Sequence, residues 1–212
     1  MFWSTLDRPR QILLRKIVEN TPVPNSYLAG GTGLALMFGH RESVDFDWFT
    51  PNQFDNEDLY RRLAQIGKVM ITETKKGTFH GFVDDIQVTW LWYPNPLIEP
   101  LVKVKDMPGL SLASVMDIGL MKWVAVSQRG ARKDFIDLYM ICQKGINLES
   151  MLAFLPEKYP EAKINYYHMI KSLSYFEDAE REIMPIMKID IDWEKIKDYF
   201  LQVQKKLLGK FC

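Results

Sequence analysis

The chain has 212 residues, of which 47% are hydrophobic and 13% aromatic. This composition can supply one domain with a sizeable core, or one domain with a helical appendage. Lysine plus arginine number 27 and so do aspartate plus glutamate, so the formal net charge is zero. Without an overall positive field, the chain is not expected to bind long DNA, and any nucleic-acid contact would rest on a local basic patch.

Neither a membrane span nor a disulfide framework is expected from this sequence. No segment reaches the roughly eighteen uncharged apolar residues that a membrane helix needs, and the N-terminal stretch MFWSTLDRPRQ has no long apolar run. The two cysteines, Cys142 and Cys212, have no metal-site spacing. The sequence therefore predicts a cytoplasmic protein.

The apolar periodicity predicts a mixed α and β first half and an all-helical second half. The predicted helices of the first half are Leu6–Asn20, Thr32–Met37 and Asp55–Gly67, and the predicted strands are Asn25–Ala29, one containing Asp45, Lys68–Thr74, Thr78–Val83 and Asp85–Trp92. From Ser111 onward the pattern is helical, with breaks near Gly130, Gly145, Pro156, Pro160 and Pro185. The predicted fold class is α+β, with residues 1–108 as a mixed sheet core flanked by helices and 109–212 as a helical extension.

A double glycine stands at a predicted helix start in the segment YLAGGTGLALMFGHRESVDFDWF, residues 27–49. Gly30 and Gly31 let the backbone come close to a bound group. The free amides and the positive dipole end of the following helix are suited to holding a phosphate. A double glycine before an apolar run is also common in ordinary turns.

Two carboxylates follow this helix, Asp45 and Asp47, and on a strand this spacing places both on one face. Two oxygen ligands on one face suit Mg²⁺ that takes its other ligands from a nucleotide triphosphate. An isolated Asp-x-Asp also occurs at solvated strand ends. Here, however, the helix ends at Gly39 and a short turn leads directly into the acidic strand. The order and closeness of the two motifs indicate nucleotidyl transfer.

A lysine inside an apolar helix is the next unusual feature. The stretch Val115–Val126 carries only two charges, Asp117 and Lys122, and its apolar residues surround the helix. Such a helix is mostly buried, so the Lys122 ammonium needs an anionic partner. Two interpretations stay open: an internal ion pair or a snorkelling lysine, and an ammonium that contacts the phosphates of a nucleotide.

The following segment, QRGARKDFIDLYMIC, interleaves acidic and basic residues. Arg129 lies two turns beyond Lys122, and Asp134 and Asp137 lie one turn apart on the next predicted helix. Runs of this kind usually form a solvated ion-pair face.

Two segments, LAGGTGLALMFGHRESVDFDWFT and MKWVAVSQRGARKDFIDLYMI, resemble the AbiEii-type nucleotidyltransferase toxin family of the minimal nucleotidyltransferase superfamily. The resemblance covers roughly residues 5–145, and the remainder matches only in being helical. It implies a nucleotidyltransferase-type fold and transfer of a nucleoside monophosphate from an NTP to a hydroxyl, with Mg²⁺, or alternatively Mn²⁺, as cofactor. RNA or tRNA is the first expected acceptor and a small molecule the second. The resemblance also implies a toxin-antitoxin or phage-defence role, and hence an antitoxin protein as partner.

The resemblance also implies roles for the second segment. Lys122 matches the motif lysine, which is expected at the phosphates of the nucleotide. Asp134 directly follows the basic Lys133, as the aspartate of the family's signature segment follows its basic residue, and is expected to close the active site with the lysine. Asp137 is expected either to pair with Arg129 or to have a role in packing.

In the first segment, Asp45 and Asp47 are the expected catalytic metal ligands. The expected nucleotide-binding residues are Gly30, Gly31, Thr32, Arg41, Ser43 and Lys122. The planar guanidinium of Arg41 suits a bidentate phosphate contact, or else ties its loop to a nearby acid. Ser43 is expected to cap or orient Asp45.

One departure from the superfamily pattern concerns the third carboxylate that many nucleotidyltransferases carry on a later strand. In the predicted strand Asp85–Trp92, Thr89 occupies the expected position, and Asp85 could reach the site only from its far end. Another group, such as Asp134, would then take the base role. The alternative is a catalytically silent module that binds a nucleotide or a partner.

Overall fold

A computed structural model describes residues 1–211, which divide into two compact units. The first, called the sheet unit here, consists of Met1–Pro96 and Pro100–Ala113. The second, called the helical unit, consists of Leu97–Glu99 and the chain from Ser114 onward.

The sheet unit contains one mixed sheet and the helices that pack on it. A short 3₁₀ helix, Trp3–Thr5, precedes helices α1 (Arg8–Asn20), α2 (Gly30–Phe38) and α3 (Asn56–Ala64). The strands are β1 (Tyr27–Leu28), β2 (Phe46–Thr50), β3 (Val69–Lys75), β4 (Thr78–Val83), β5 (Ile86–Trp92), β6 (Val102–Lys103) and β7 (Ser111–Leu112). Their order is β3-β4-β5-β2-β1-β7-β6. The pairs β2–β5 and β1–β7 are parallel and the other neighbouring strands are antiparallel, so the sheet is mixed. Together with the helices, this sheet confirms the predicted mixed α and β fold.

Local chemistry sets the ends of these elements. The side chain of Asp7 accepts a hydrogen bond from the Arg10 amide and caps α1. Gly39 ends α2 in the left-handed conformation, with φ of 69°. Asp84 and Asp85 have φ of 47° and 63° and form the tight turn between β4 and β5, because aspartate tolerates this conformation better than most residues.

Alternating side chains separate the two faces of the central strands. On one face, Phe46 and Trp48 of β2 join the hydrophobic core with Val88 and Trp90 of β5. The indoles of Trp48 and Trp90 stack with ring centroids 5.5 Å apart. Asp47 lies between the two core residues of β2, so its side chain stands on the other face of the sheet.

The helical unit has no strand among its described residues. Its helices are α4 (Val115–Gln128), α5 (Arg132–Gln143), α6 (Leu148–Lys158), α7 (Tyr166–Ser172), α8 (Glu177–Arg181) and α9 (Trp193–Phe211). Phe135 is fully buried and packs edge-on against the rings of Trp193 and Phe200. Over residues 1–211, no helix combines the length and the apolar character that crossing a membrane requires.

Two predictions about the elements were wrong, and one strand was missed. Ser111–Leu112 is a strand, and the helix begins at Val115 because the side chain of Ser114 caps it. The strand Val102–Lys103 was not predicted, because two residues are too short to show a period. Pro156 does not end α6, which continues to Lys158, since a proline in the last turn removes only one helical hydrogen bond.

We expect the variant Lys158→Met to lower the free energy of unfolding by roughly 3 kcal/mol. The Lys158 side chain is fully buried, and its Nζ lies 2.7 Å from Oδ1 of Asp117. Burial lowers the pKa of Lys158, and the hydrogen bond and charge of Asp117 oppose this. Without the ammonium, Asp117 keeps only neutral donors, from Ser114 and the amides of residues 98 and 99.

Urea unfolding followed by circular dichroism measures this change. Lys163→Met serves as the control because Lys163 is exposed, and it should unfold within about 0.5 kcal/mol of the wild type. Equal stability of the two variants would contradict a structural role for the pair of Lys158 and Asp117.

Candidate active site

The start of α2 lies directly beside the acidic strand β2. The backbone amide of Ala29 donates to the carbonyl of Asp47 over 3.1 Å, which ties the two elements together. At Gly30, a Cβ atom would lie only 2.9 Å from Oδ2 of Asp47. The Asp47 carboxylate therefore lies against the N-terminus of α2, as the sequence motifs indicated.

This helix end has the properties of a phosphate site. Ala29, its N-cap residue, has no side chain that could cap the helix. The first amides of an α-helix have no partner within the helix, and together with the helix dipole they favour an anion. Gly30 has φ of 61°, a conformation that glycine adopts without strain.

Arg41 lies at the same helix end. A Cβ atom on Gly31 would overlap the guanidinium of Arg41, so this close approach requires glycine. The Arg41 side chain is buried, and its Nη1 donates to the carbonyl of Glu42 over 2.9 Å. This hydrogen bond is a contact within the loop, and a phosphate contact by Arg41 stays a prediction.

Two buried hydroxyls hold the segment that leads into β2. The hydroxyls of Thr32 and Ser43 lie 2.6 Å apart, and Thr32 also donates to the carbonyl of Asp45. Ser43 therefore acts on Asp45 through Thr32. These contacts occupy the Thr32 hydroxyl. If Thr32 binds a nucleotide, it would therefore do so through its backbone amide.

The two carboxylates fit a hard divalent cation. Asp45 and Asp47 are half-buried and alternate with the buried Phe46 and Trp48. Asp47 lies within β2, whereas Asp45 directly precedes this strand, so the prediction that Asp45 lies on a strand was wrong by one residue. Within residues 1–211, no group of three or more histidine, cysteine or acidic side chains could hold a metal. Mg²⁺ commonly takes only one or two carboxylates and completes its shell with substrate phosphates and water.

We expect Gly30→Ala to weaken the binding of an Mg²⁺–NTP complex at least tenfold, which corresponds to about 1.4 kcal/mol. The new methyl group would displace the Asp47 carboxylate, and alanine at this positive φ also adds strain of about 1–2 kcal/mol. Calorimetric titration with a non-hydrolysable NTP measures the affinity.

Gly145→Ala is the matched control for backbone strain. Gly145 also has a positive φ, of 100°, but nothing lies within 4 Å of a Cβ there. The control should lose stability and keep its affinity. Unchanged affinity in Gly30→Ala would contradict the proposed phosphate and metal site.

In the helical unit, Lys122 belongs to a buried ion-pair cluster. Its Nζ lies 2.8 Å from Oδ1 of Asp134 and 2.6 Å from Oδ2 of Asp137, and both carboxylates are fully buried. The expected anionic partner is thus confirmed, and the solvated-face interpretation is wrong for Asp134 and Asp137. Arg129 pairs with Asp134 through Nε, at 2.7 Å.

Opposing effects act on the pKa of Asp134. Burial by itself would raise this pKa, but the charge of Lys122 and the hydrogen bond from Arg129 outweigh it, so the net pKa is lowered. The carboxylate therefore stays ionised, and the cluster shows why a lysine is tolerated in an apolar helix. These contacts show that Lys122 forms an ion pair. Its contact with the phosphates of a nucleotide stays a prediction.

The register of the sheet brings two further residues to the acidic face. Thr89 of β5 is the parallel neighbour of Asp47, and His80 of β4 is the antiparallel neighbour of Thr89. Nδ1 of His80 and the Thr89 hydroxyl share a hydrogen bond of 3.2 Å. Sequence reasoning missed His80, because only the pairing of β4 with β5 places it here.

A separate cavity lies on the core side of the sheet. Its volume is about 210 Å³, and its lining includes Trp48 and Trp90 together with Ser26 and Lys103. Since these indoles belong to the face opposite Asp47, the cavity is distinct from the acidic site.

The N-terminus of α2, the carboxylates of Asp45 and Asp47 and the mixed sheet are together the features of a nucleotidyltransferase domain. The family model "Nucleotidyl transferase AbiEii toxin, Type IV TA system" matches residues 11–94, which include the glycine motif and both aspartates. An uncharacterised protein of Aquifex aeolicus is 34% identical over 206 residues, covering 96% of this chain and 98% of the relative. Over residues 11–94, this chain therefore matches the AbiEii nucleotidyltransferase toxin family.

Solved structures share the fold at low sequence identity. MenT4, a nucleotidyltransferase toxin of Mycobacterium tuberculosis, matches with a TM-score of 0.61 and 14% identity over 93% of this chain and 82% of that chain. JHP933 of Helicobacter pylori matches with a TM-score of 0.54 and 16% identity over 97% of this chain and 96% of that chain. These structures show that the fold is shared, and the match of the family model to residues 11–94 confirms the family resemblance seen in the sequence.

Proposed function

We propose that this protein is a Mg²⁺-dependent nucleotidyltransferase that moves a nucleoside monophosphate from an NTP to a hydroxyl of RNA, with tRNA as the favoured acceptor. One observation carries the proposal: the Asp47 carboxylate lies against the glycine-lined N-terminus of α2. A cation held by Asp47 would then stand beside a phosphate bound at this helix end, which is the arrangement that a metal-bound triphosphate needs.

Each residue of the acidic site has a proposed part. Asp45 and Asp47 would hold Mg²⁺, with Mn²⁺ as an alternative, and the bound cation would offset the charge that develops on the phosphates. The amides at the start of α2 and the Arg41 guanidinium would bind the triphosphate. Thr32 and Ser43 hold the backbone of Asp45 in place. Fixed donors and ligands of this kind lower the barrier mainly by positioning and electrostatics.

Lys122 and Asp134 enter the proposal through the family motif. Their proposed roles are contact with the phosphates for the lysine, and orientation of the lysine for the aspartate. The 2.8 Å ion pair between them is compatible with the second role.

The acceptor proposal is supported by an exposed aromatic and basic surface on and after α7. Tyr166, Tyr167 and Tyr175 are exposed, and Nζ of Lys171 lies 5.7 Å from the ring centroid of Tyr167. Aromatic rings beside positive charges can stack unpaired bases and contact the backbone of RNA. The match to a toxin family further supports an antitoxin protein as a partner.

Label transfer tests the proposal. The purified chain is incubated with each of the four α-³²P-labelled NTPs, Mg²⁺ and total RNA, and the products are separated on a denaturing gel. We expect covalent labelling of RNA that is abolished by EDTA and restored by Mg²⁺. Binding of NTP without any labelled RNA or labelled small molecule would contradict transfer.

One observation favours a second candidate function, a catalytically silent module that binds a nucleotide or a partner. The neighbour of Asp47 on β5 is Thr89, which cannot serve as a carboxylate base. The same assay separates the candidates, because the silent module would bind Mg²⁺–NTP in calorimetry and give no labelled product.

A further inference from the structure

Four polar side chains form a row across neighbouring strands on the acidic face of the sheet. Asp47 of β2 pairs with Thr89 of β5, Thr89 with His80 of β4, and His80 with Glu73 of β3. Directly paired residues of adjacent strands place their side chains on the same face. The row therefore leads from the proposed metal ligand to an imidazole and ends at a carboxylate.

The two middle members of the row are in direct contact. Thr89 is buried, with 4% of the residue exposed, and its hydroxyl shares a hydrogen bond of 3.2 Å with Nδ1 of the half-buried His80. In the tautomer that carries its hydrogen on Nε2, the Nδ1 lone pair accepts the hydrogen of the Thr89 hydroxyl. A hydroxyl in this position can pass a proton to the imidazole while it receives another.

We propose that Thr89 and His80 form a proton relay that deprotonates the acceptor hydroxyl during nucleotidyl transfer. This inference rests on the proposed function. His80 has no counterpart in the sequence motifs, and in the relay it accepts the proton, through Thr89, where the expected third carboxylate is missing.

The relay is balanced in atoms and charge. The acceptor hydroxyl gives its proton to Oγ1 of Thr89, while Thr89 gives its own proton to Nδ1 of His80. The acceptor oxygen forms a bond to the α-phosphorus, and the bond from the α-phosphorus to the oxygen bridging to the β-phosphate breaks. Pyrophosphate leaves with the electron pair of that bond, and the imidazolium then returns its proton to water.

The charges that face His80 within the sheet unit suit a group that becomes positive. Glu73 lies directly across from it on β3, and the hydrogen bond and charge of Lys75 lower the pKa of Glu73, so this side chain is a carboxylate. On β5 the facing group, Thr89, is neutral, and beyond it lies Asp47. Because Asp47 would be bound to the cation during transfer, the Glu73 carboxylate is the group that would stabilise the imidazolium once it forms.

Single-turnover kinetics with α-³²P-labelled NTP and total tRNA test the relay. His80→Gln can still hydrogen-bond Thr89 but cannot take up a proton, and we expect its rate at saturating NTP to fall about 100-fold. Thr89→Val, which removes only the hydroxyl, should show a similar loss, and Thr89→Ser should keep most of the rate. NTP affinity, measured by calorimetry, should be unchanged in all three variants.

Two readouts separate the relay from a structural role. The double variant His80→Gln with Thr89→Val should be no slower than either single variant, because both changes interrupt one proton path. The relay predicts that the wild-type rate falls toward acid pH, and this fall should be absent in His80→Gln.

The outcomes distinguish the relay from the proposed function. Wild-type transfer with an unchanged rate and pH profile in His80→Gln would overturn the relay alone. Additive losses in the double variant would also overturn it, since they would show two independent effects. A wild-type chain that forms no labelled product would overturn the proposed function, and the relay with it.

Discussion

Replacing Asp47 with asparagine is expected to lower the rate of nucleotidyl transfer about 1,000-fold. The substitution keeps the size of the side chain and removes the charge that would hold the divalent cation beside the start of α2. It also leaves the backbone hydrogen bond from Ala29 to Asp47 intact, so the connection between α2 and β2 should persist. Label transfer to RNA at saturating Mg²⁺ and NTP measures the loss.

The control removes a similar charge elsewhere in the sheet unit. Asp58 lies on α3 and pairs with Arg62 at the surface, where an ion pair contributes about 0–1 kcal/mol. Asp58→Asn should transfer at the wild-type rate, and both variants should have a free energy of unfolding close to that of the wild type.

If Asp47→Asn kept full activity, Asp47 would not be a metal ligand. If it lost activity only because it failed to fold, the acidic site would be structural.

Replacing Lys122 with methionine is expected to lower the free energy of unfolding by about 3–5 kcal/mol. Methionine fills most of the space of the lysine stem, so the loss reflects charge more than volume. The buried carboxylates of Asp134 and Asp137 would lose their shared ammonium, although Arg129 would still contact Asp134. Urea unfolding measures the change.

A triple variant separates stability from catalysis at this cluster. Adding Asp134→Asn and Asp137→Asn to Lys122→Met removes the buried charges together. We expect stability to recover by at least about 2 kcal/mol, because no uncompensated buried ion remains and the largely exposed Arg129 keeps its contact with water. If Lys122 acts only in the ion pair, the stable triple variant should transfer at the wild-type rate. If Lys122 also contacts the nucleotide, this variant should bind NTP weakly although it is folded.

The residues that could be predicted from the sequence are those whose roles depend on short stretches of chain. Gly30 and Asp47 lie within one segment of strand, helix, turn and strand, so their closeness follows from local order. The need of Lys122 for an anion likewise followed from the apolar helix around it. The two-residue strands were missed because they are too short to show a period. The solvated-face interpretation failed for the acidic residues of α5 because their interleaved charges resemble a surface pattern.

The sequence by itself determined the family, the mixed α and β fold, the glycine-lined helix start and the two carboxylates that follow it. Only the tertiary structure decided that His80 reaches Thr89, that Thr89 is the neighbour of Asp47, and that Asp134 and Asp137 are buried around Lys122. The physical reason is that composition and periodicity report what a residue does within its own helix or strand. Strand register and the partner of a buried charge depend instead on segments far apart in the chain, which are brought together only when the chain folds.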